Sequence, residues 1–296
     1  MSLNTSSNPR YTKGENYFMI FNYVFLAFIG LLTLYPMFYV LVASFSDNFA
    51  LMRHTGLLFA PKGFSVAAYQ RVFGNPMVLL GYRNTLIILV AGVALAILMT
   101  SLGAYFLSRK NVFFKKPIML AVVFTMFFQG GMIPAYLNFR DLGLINNLWG
   151  LILPGMISVY NMIIMRTSFQ QIPESLTEAA YIDGAGHIQI LFRIVLPLSQ
   201  AIIAVMILYY GIGIWNAWFW ASVLLTKREL LPLQVVLREI LLQNSNLDVT
   251  LGTDAEGISE TIKYALIIVA TVPVLCIYPF LQKYFAKGVM LGSIKE

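Results

Sequence analysis

Six long runs free of Asp, Glu, Lys and Arg constrain this chain more than anything else in it. They cover residues 18–44, 84–108, 117–138, 148–165, 198–225 and 262–281, with Lys263 the one exception at the edge of the last. A bilayer core about 30 Å thick is crossed by about 20 apolar residues in a helix. Only helices and closed barrels satisfy their own backbone there, so the expectation is an all-α integral membrane protein with six transmembrane helices. Composition points the same way: 11% of residues are charged, against roughly 25% in an ordinary soluble domain.

The distribution of charge narrows the function. A buried charge at a helix centre marks an ion or proton pathway, and the apolar runs hold none, which speaks against an ion-coupled pump built on this chain alone. The net charge of +7 reads less as a nucleic-acid surface than as loops held on the cytoplasmic face. Arg109, Lys110, Lys115 and Lys116 between the second and third runs are the clearest such group. Placing them inside puts both termini inside. Over all loops the Lys and Arg then number 11 inside and 9 outside, a narrow margin. Residues 1–17 are polar and read as a cytoplasmic tail, 18–284 as the membrane domain and 285–296 as a second cytoplasmic tail. The first apolar run is too long for the core of a cleaved signal peptide and reads as a retained span. Cys276 is the sole cysteine, which rules out an internal disulfide.

An enzyme fails on inventory. The two histidines, His54 and His187, fall in loops assigned to opposite faces, so no paired-His metal site can form from them. No serine sits in a G-x-S-x-G elbow, and the runs hold no carboxylates for intramembrane acid–base work. The dipeptide Gly-Lys of a phosphate loop never occurs, so energy for uphill movement must come from another chain.

Several runs carry proline: Pro36, Pro134, Pro154, Pro273 and Pro279, each a candidate kink. In the loop 226–261, the run LPLQVVLREILLQ reads as a short surface helix with Val235, Val236, Ile240 and Leu242 on its apolar side and Arg238 and Glu239 exposed.

The polar segment SLTEAAYIDGAGH, within the long inner loop 166–197, interrupts this pattern. As a helix it puts Leu176, Ala179 and Ala180 on one face and Glu174, Thr177, Glu178 and Tyr181 on the other. Ser175 with Glu178 three residues on fits a capping box, and Pro173 a first-turn position. Asp183 breaks the pattern: either it caps a second helix beginning near Gly184, or it is held for a partner. Gly184 and Gly186 permit a sharp turn. The expectation is a bent pair of short helices with a small-residue face open to close approach.

The run EAAYIDGAGHIQILFRIVLP resembles the EAA signature of bacterial ABC-importer permeases: E-A-A, three residues, Gly, nine residues, Ile, one residue, Leu-Pro, with every position matched. RNTLIILV, LGLINNLWGLILP, IIMRTSFQQIP, WNAWFWASVLL and QKYFAKGVMLGSIK extend the similarity over almost the whole chain, on the maltose-type, carbohydrate-importing branch. QGGMIPAYL and LPLQVVLREIL further resemble its complex oligosaccharide and polysaccharide subgroup.

That resemblance implies a type I importer fold and an assembly. The partners would be a second homologous permease, two cytoplasmic ATPase subunits that bind ATP and Mg, and an extracellular or periplasmic solute-binding protein, at a bacterial plasma (inner) membrane. Glu178, Ala179, Ala180, Asp183, Gly184, Ala185 and Gly186 would form the coupling helix that sits in a cleft of one ATPase. The chain itself would hold no cofactor or metal. The alternatives are the same build carrying another solute, or a channel that works without an ATPase.

In the fifth run Tyr209, Asn216 and Trp220 are spaced seven and four apart and fall on one stripe if the run is a single helix. Aromatic faces with an amide suit a sugar. Trp215, Trp218 and Trp220 equally fit the aromatic belt at a membrane interface. Asn161 and Gln129 are further polar candidates, for which hydrogen bonding between helices is the plainer account.

Overall fold

A computed structural model of the chain describes residues 12–250, 260–277 and 279. The terminal tails, apart from residues 12–17, therefore lie outside the described residues, as does the end of the sixth apolar run. No strand longer than an isolated bridge between Ser46 and Phe64 occurs among the described residues. The fold is all-α.

The helices are α1 (Lys13–Ser44), α2 (Asn48–Met52), α3 (Ala67–Gly74), α4 (Pro76–Ser108), α5 (Lys115–Phe127), α6 (Met132–Asp141), α7 (Trp149–Ile152), α8 (Val159–Phe169), α9 (Glu174–Ile182), α10 (His187–Ile190), α11 (Leu196–Leu198), α12 (Gln200–Trp215), α13 (Phe219–Leu224) and α14 (Leu233–Thr250). A last helix, α15, spans Glu260–Ile277. Three of them, α1, α4 and α15, are long and apolar enough to cross a membrane unbroken. The other expected spans are bent pairs: α5 with α6 at 108°, residues 149–155 with α8 at 47°, and residues 187–198 with α12 at 88°. The number of crossings reaches six only if each bent pair counts as one span.

The described residues fall into two compact units, one of 12–70, 247–250 and 260–268, the other of 71–246, 269–277 and 279. In the first, α1 starts at Lys13, earlier than expected. Thr12 and Glu15 exchange capping hydrogen bonds that satisfy two of the orphan donors at its start. Pro36 lies inside this helix without ending it. At its other end the Ser46 hydroxyl donates to the Val42 carbonyl and accepts from the Lys62 amide. Tyr39 packs edge-on against Tyr264, beside the buried Val42, Ala43, Leu51 and Leu58.

In the second unit α4, α8 and α12 form the core, with Met165, Phe169, Ile190, Leu191, Val195 and Met206 fully enclosed. Two glycines allow close approach here. A Cβ on Gly81 would lie 3.0 Å from the Leu233 Cα, and one on Gly150 2.5 Å from the Leu144 carbonyl oxygen. The Asn84 amide donates to the carbonyls of Glu229 and Leu231, and the Leu233 amide donates to the Thr85 hydroxyl. The segment expected as a short surface helix is therefore a longer element with a buried start. Val235 and Val236 are enclosed as expected; Leu242 is exposed and Leu237 takes its place.

Pro273 does not interrupt α15, and the reason is specific. A proline leaves the carbonyl four residues back without its helical donor, here that of Val269. The Tyr82 hydroxyl donates to that oxygen at 2.7 Å, and the Trp215 indole donates to the adjoining Ala270 carbonyl at 3.0 Å. Tyr82→Phe is expected to cost about 0.6–2 kcal/mol, the range for hydrogen bonds between membrane helices. The cost should vanish in a Pro273→Ala background, where the restored N–H can serve Val269. Thermal midpoints of the purified single and double variants test this coupling.

Candidate functional site

Two regions of the second unit carry the residues singled out above. The first is the EAA segment. Helix α9 begins after Pro173, which occupies the N-cap position, and no side chain caps it; Ser175 lies inside the helix, so the expected Ser175–Glu178 capping box is absent. The burial pattern also differs from the expected one. Thr177 and Ala180 are enclosed against the core, whereas Leu176, Glu178, Ala179 and Asp183 are exposed. Thr177 turns inward because its hydroxyl is satisfied within the helix, donating to the Glu174 carbonyl at 2.8 Å. The outward side therefore carries Glu178, Ala179 and Ile182, and Ile182 is 87% exposed. Sequence reasoning passed over Ile182. Its signal was its place three residues after Ala179 and four after Glu178 on the same helix face.

The end of α9 explains the first glycine of the signature. The Gly184 amide donates to the Tyr181 carbonyl at 3.0 Å and the Ala185 amide to the Ala180 carbonyl at 2.9 Å, the paired bonds of a Schellman cap. Gly184 sits at φ 80°, the left-handed conformation that such a cap needs and that a Cβ disfavours. Ala185 packs with Ala180 against the core, the small apolar contact that accompanies the motif. Asp183 is the residue at which α9 ends. It does not cap α10, whose start is closed instead by the Gln189 side chain accepting from the Gly186 amide. The Asp183 carboxylate has no recorded partner among the described residues.

The close of the signature has a local cause as well. Ahead of Pro197, residues Leu191–Val195 form a wide π turn. Proline's missing N–H and its clash with the carbonyl four residues back favour such a distortion. The chain then bends by 88° at Ser199 into α12. Neighbouring contacts fix the segment. The Tyr181 hydroxyl meets His187 Nδ1 at 2.7 Å, and Arg166 Nε donates to the Leu107 carbonyl at 2.9 Å. Lys110 pairs with Glu174, and the hydrogen bond that its ammonium donates to that carboxylate holds the Lys110 pKa above its ordinary range. Both partners are exposed, so solvent screens the pair and it adds little to stability.

The second region is a cavity of about 470 Å³ lined by Tyr209, Trp215, Trp220, Asn161, Ser158 and Phe139, among others. The expected stripe Tyr209–Asn216–Trp220 does not exist as a continuous helix, because α12 ends at Trp215 and Trp220 belongs to α13. The change of direction nonetheless brings Tyr209 and Trp220 to one wall. Asn216 is not in that wall; its amide donates back to the Ile212 carbonyl at 3.0 Å. Trp218 faces elsewhere, under the Arg238 guanidinium at 3.8 Å. Gln129 lies in the break between α5 and α6, exposed and away from the cavity. Trp215 is 4% exposed with its indole N–H committed to Ala270, so only its ring is available.

Asn161 is the exception among these polar groups. It is 7% exposed, and its carboxamide has no hydrogen-bond partner among the described residues. Next to it, the Tyr210 hydroxyl, missed by sequence reasoning, accepts from the Ser158 amide at 2.9 Å and shares a 2.6 Å hydrogen bond with Thr100. That knot holds the break before α8 against both α4 and α12. No Asp, Glu, Lys, Arg or His lines the cavity. Among the described residues no cluster of three His, Cys, Asp or Glu side chains is placed to hold a metal.

Residues 111–291 match the family model described as binding-protein-dependent transport system inner membrane component. The chain belongs to this family. It is thus a membrane permease subunit of an ABC transporter rather than an enzyme, and membership implies an ATPase and a solute-binding protein as partners. The permease is 39% identical over 287 residues to protein LplC of Bacillus subtilis (strain 168), covering 96% of this chain and 97% of that one. It is 41% identical over 276 residues to the polygalacturonan/rhamnogalacturonan transport system permease protein YtcP of the same organism, covering 92% and 96%. A crystal structure of a bacterial ABC transporter involved in the import of the acidic polysaccharide alginate contains a chain of the same fold. Its TM-score is 0.84 at 35% identity, over 94% of this permease and 100% of that chain.

The signature glycine and its neighbour Gly186 are expected to separate on substitution. Gly184→Ala carries the left-handed penalty of about 1–2 kcal/mol. Gly186 sits at φ −77° and nothing lies within 4 Å of an added Cβ, so Gly186→Ala should leave the permease as stable as the parent. Thermal inactivation of the two purified variants checks the difference.

Proposed function

We propose that this permease forms half of the translocation pathway of an ATP-driven importer for an oligosaccharide or polysaccharide handed over by a solute-binding protein. The observation that carries the reading is the Asn161 amide, which has no hydrogen-bond partner among the described residues and opens into an uncharged cavity beside the rings of Tyr209, Trp215 and Trp220. An accessible amide with both donor and acceptor free can bond a sugar hydroxyl, while the apolar face of the sugar ring lies on the aromatic side chains. The relatives support a large sugar, since one is named for polygalacturonan and rhamnogalacturonan and a similar solved transporter imports alginate. With no cation in the wall, this chain would read ring and hydroxyls, leaving any carboxylate to other chains.

The other half of the pathway would be a second homologous permease, and two ATPase subunits would bind ATP and Mg. The permease would sit in the bacterial plasma membrane with residues 1–17 and 285–296 cytoplasmic and 18–284 as the membrane domain. Its loop 166–197 would carry the coupling helix. Glu178, Ala179, Asp183, Gly184 and Gly186, with Ile182, would meet the ATPase, while Ala180 and Ala185 hold the helix to its own core. Closure of the ATPase pair on ATP would then move α9 and turn the bundle outward.

The test is ATPase activity of the reconstituted complex, stimulated by the binding protein loaded with oligogalacturonides, with neutral oligosaccharides or with non-sugar solutes. Stimulation by a non-sugar solute alone would remove the carbohydrate assignment and leave the coupling assignment standing. Ala179→Trp should insert normally yet abolish both uptake and stimulation; normal transport in that variant would remove the coupling assignment. Asn161→Ala should raise the KM for uptake about tenfold, equivalent to one lost hydrogen bond of about 1.4 kcal/mol, with basal ATPase activity unchanged.

A further inference from the structure

We infer that the turn between α4 and α5, residues 109–116, is a binding site for anionic phospholipid headgroups of the bilayer. The inference rests on the membrane reading of the flanking helices and not on the sugar assignment.

The first observation is the pair of phenylalanines at the tip. Phe113 is 84% and Phe114 71% exposed, their rings 5.5 Å apart and nearly perpendicular. Phe114 adopts φ 56°, ψ 25°, the left-handed region in which a bulky side chain is a true outlier at a cost of about 1–2 kcal/mol. No packing within the permease repays this, since both rings stand clear of the core. Strain of this kind persists where the projected group has a use. At the end of two membrane helices, two exposed aromatic rings can enter the apolar boundary of the bilayer.

The second observation is the charge around them. Arg109, Lys110, Lys115 and Lys116 flank the rings, and no acid occurs between residues 109 and 140. Glu174 is paired with Lys110, and Glu178, the other carboxylate near the turn, acts through space on that same ammonium. Arg109 is stacked over the Tyr105 ring at 4.7 Å, and its Nε donates to the Ser108 hydroxyl at 3.2 Å, which leaves both terminal nitrogens for another acceptor. Lys115 donates to the Arg109 carbonyl at 2.7 Å and Arg166 to the Leu107 carbonyl at 2.9 Å. Two further charges are thereby fixed at the same helix end without an acid to neutralise them. Lys116 is exposed and has no recorded partner among the described residues. An acidic protein surface would meet the cations but would leave unexplained two rings at the depth where the turn joins membrane helices. Anionic lipid accounts for both, because its phosphate meets the cations while its chains receive the rings.

The experiment uses the assembled complex with native cysteines replaced, Cys276→Ser included, and a bimane label on Phe113→Cys. The complex is placed in nanodiscs of phosphatidylcholine with increasing phosphatidylglycerol. Brominated lipid chains should quench the label increasingly as phosphatidylglycerol is added, and soluble glycerophosphate should have no effect. In Lys116→Gln and in Arg109→Gln the phosphatidylglycerol fraction for half-maximal quenching should rise about fivefold per cation removed. Co-purification of the ATPase should be unchanged and serves as the check on folding. Retention of phosphatidylglycerol over phosphatidylcholine by the unlabelled complex gives a second readout that leaves Phe113 in place. Any of three outcomes overturns the proposal: quenching by aqueous iodide in every nanodisc, quenching by brominated lipid that ignores phosphatidylglycerol, or shielding that requires the ATPase subunits.

Discussion

In a bilayer there is no water to repair a broken helix, so every interruption must be sealed by another part of the chain. This permease interrupts its helices repeatedly, and the seals are where its polar side chains went. Tyr210 holds the break before α8 by accepting from the Ser158 amide and bonding Thr100. Tyr82 and Trp215 close the gap that Pro273 opens in α15. Asn84 and Thr85 take up backbone groups of the segment that precedes and starts α14. These side chains tie α4 to α12, α14 and α15. The helix with the most such partners, α4, is also among the few that run unbroken.

Much of the fold was legible because it follows from one-dimensional pattern. Uncharged runs located the apolar helices, and the helical periodicity after Pro173 with the glycines at 184 and 186 located the helix pair α9 and α10. What escaped was set by contacts between segments distant in sequence. A helical wheel cannot say which side of α9 faces the core: it groups Thr177 with Glu178, yet Thr177 is enclosed, its hydroxyl satisfied by its own helix, and Glu178 is exposed. Proline alone was a poor guide to bends. Pro273 lies in a continuous helix because Tyr82 and Trp215 serve its neighbours, while the 108° bend of the third expected span falls between α5 and α6, ahead of Pro134, where Gly131 takes φ 85°. The candidate site shows the same division. Tyr209, Trp215, Trp220 and Asn161 do line one cavity, but the supposed stripe was not the cause. The chain turns after Trp215, and that turn removes Asn216 from the wall while bringing Trp220 in.

The signature EAA run has a physical account in this chain that does not depend on what docks there. Its first glycine closes a Schellman cap, its alanines Ala180 and Ala185 form the contact that seats the cap, and its Leu-Pro ends the segment with a wide turn and a bend. The spacing is thus a recipe for a short helix set at a fixed angle to the one that follows. Gly186 stands outside this account, since its backbone angles suit any residue and the space around it is open.

The two regions are linked through α4. Leu107, whose carbonyl takes Arg166, and Ile88, in the cavity wall, are separated by about 30 Å at 1.5 Å per residue. Between them Thr100 bonds Tyr210. The chain itself supplies two further routes from α9 to the cavity, backward through α8 to Asn161 and forward through the bend at Ser199 and α12 to Tyr209. Both routes end beside the Tyr210 knot, which joins the start of α8 to α12 against α4. Asn161 and Tyr209 therefore each lie within three residues of a member of one hydrogen-bonded group, Ser158 in one case and Tyr210 in the other. That shared hydroxyl ties the two sides of the cavity wall to each other and to α4, so the wall is held by contacts between segments far apart in the chain.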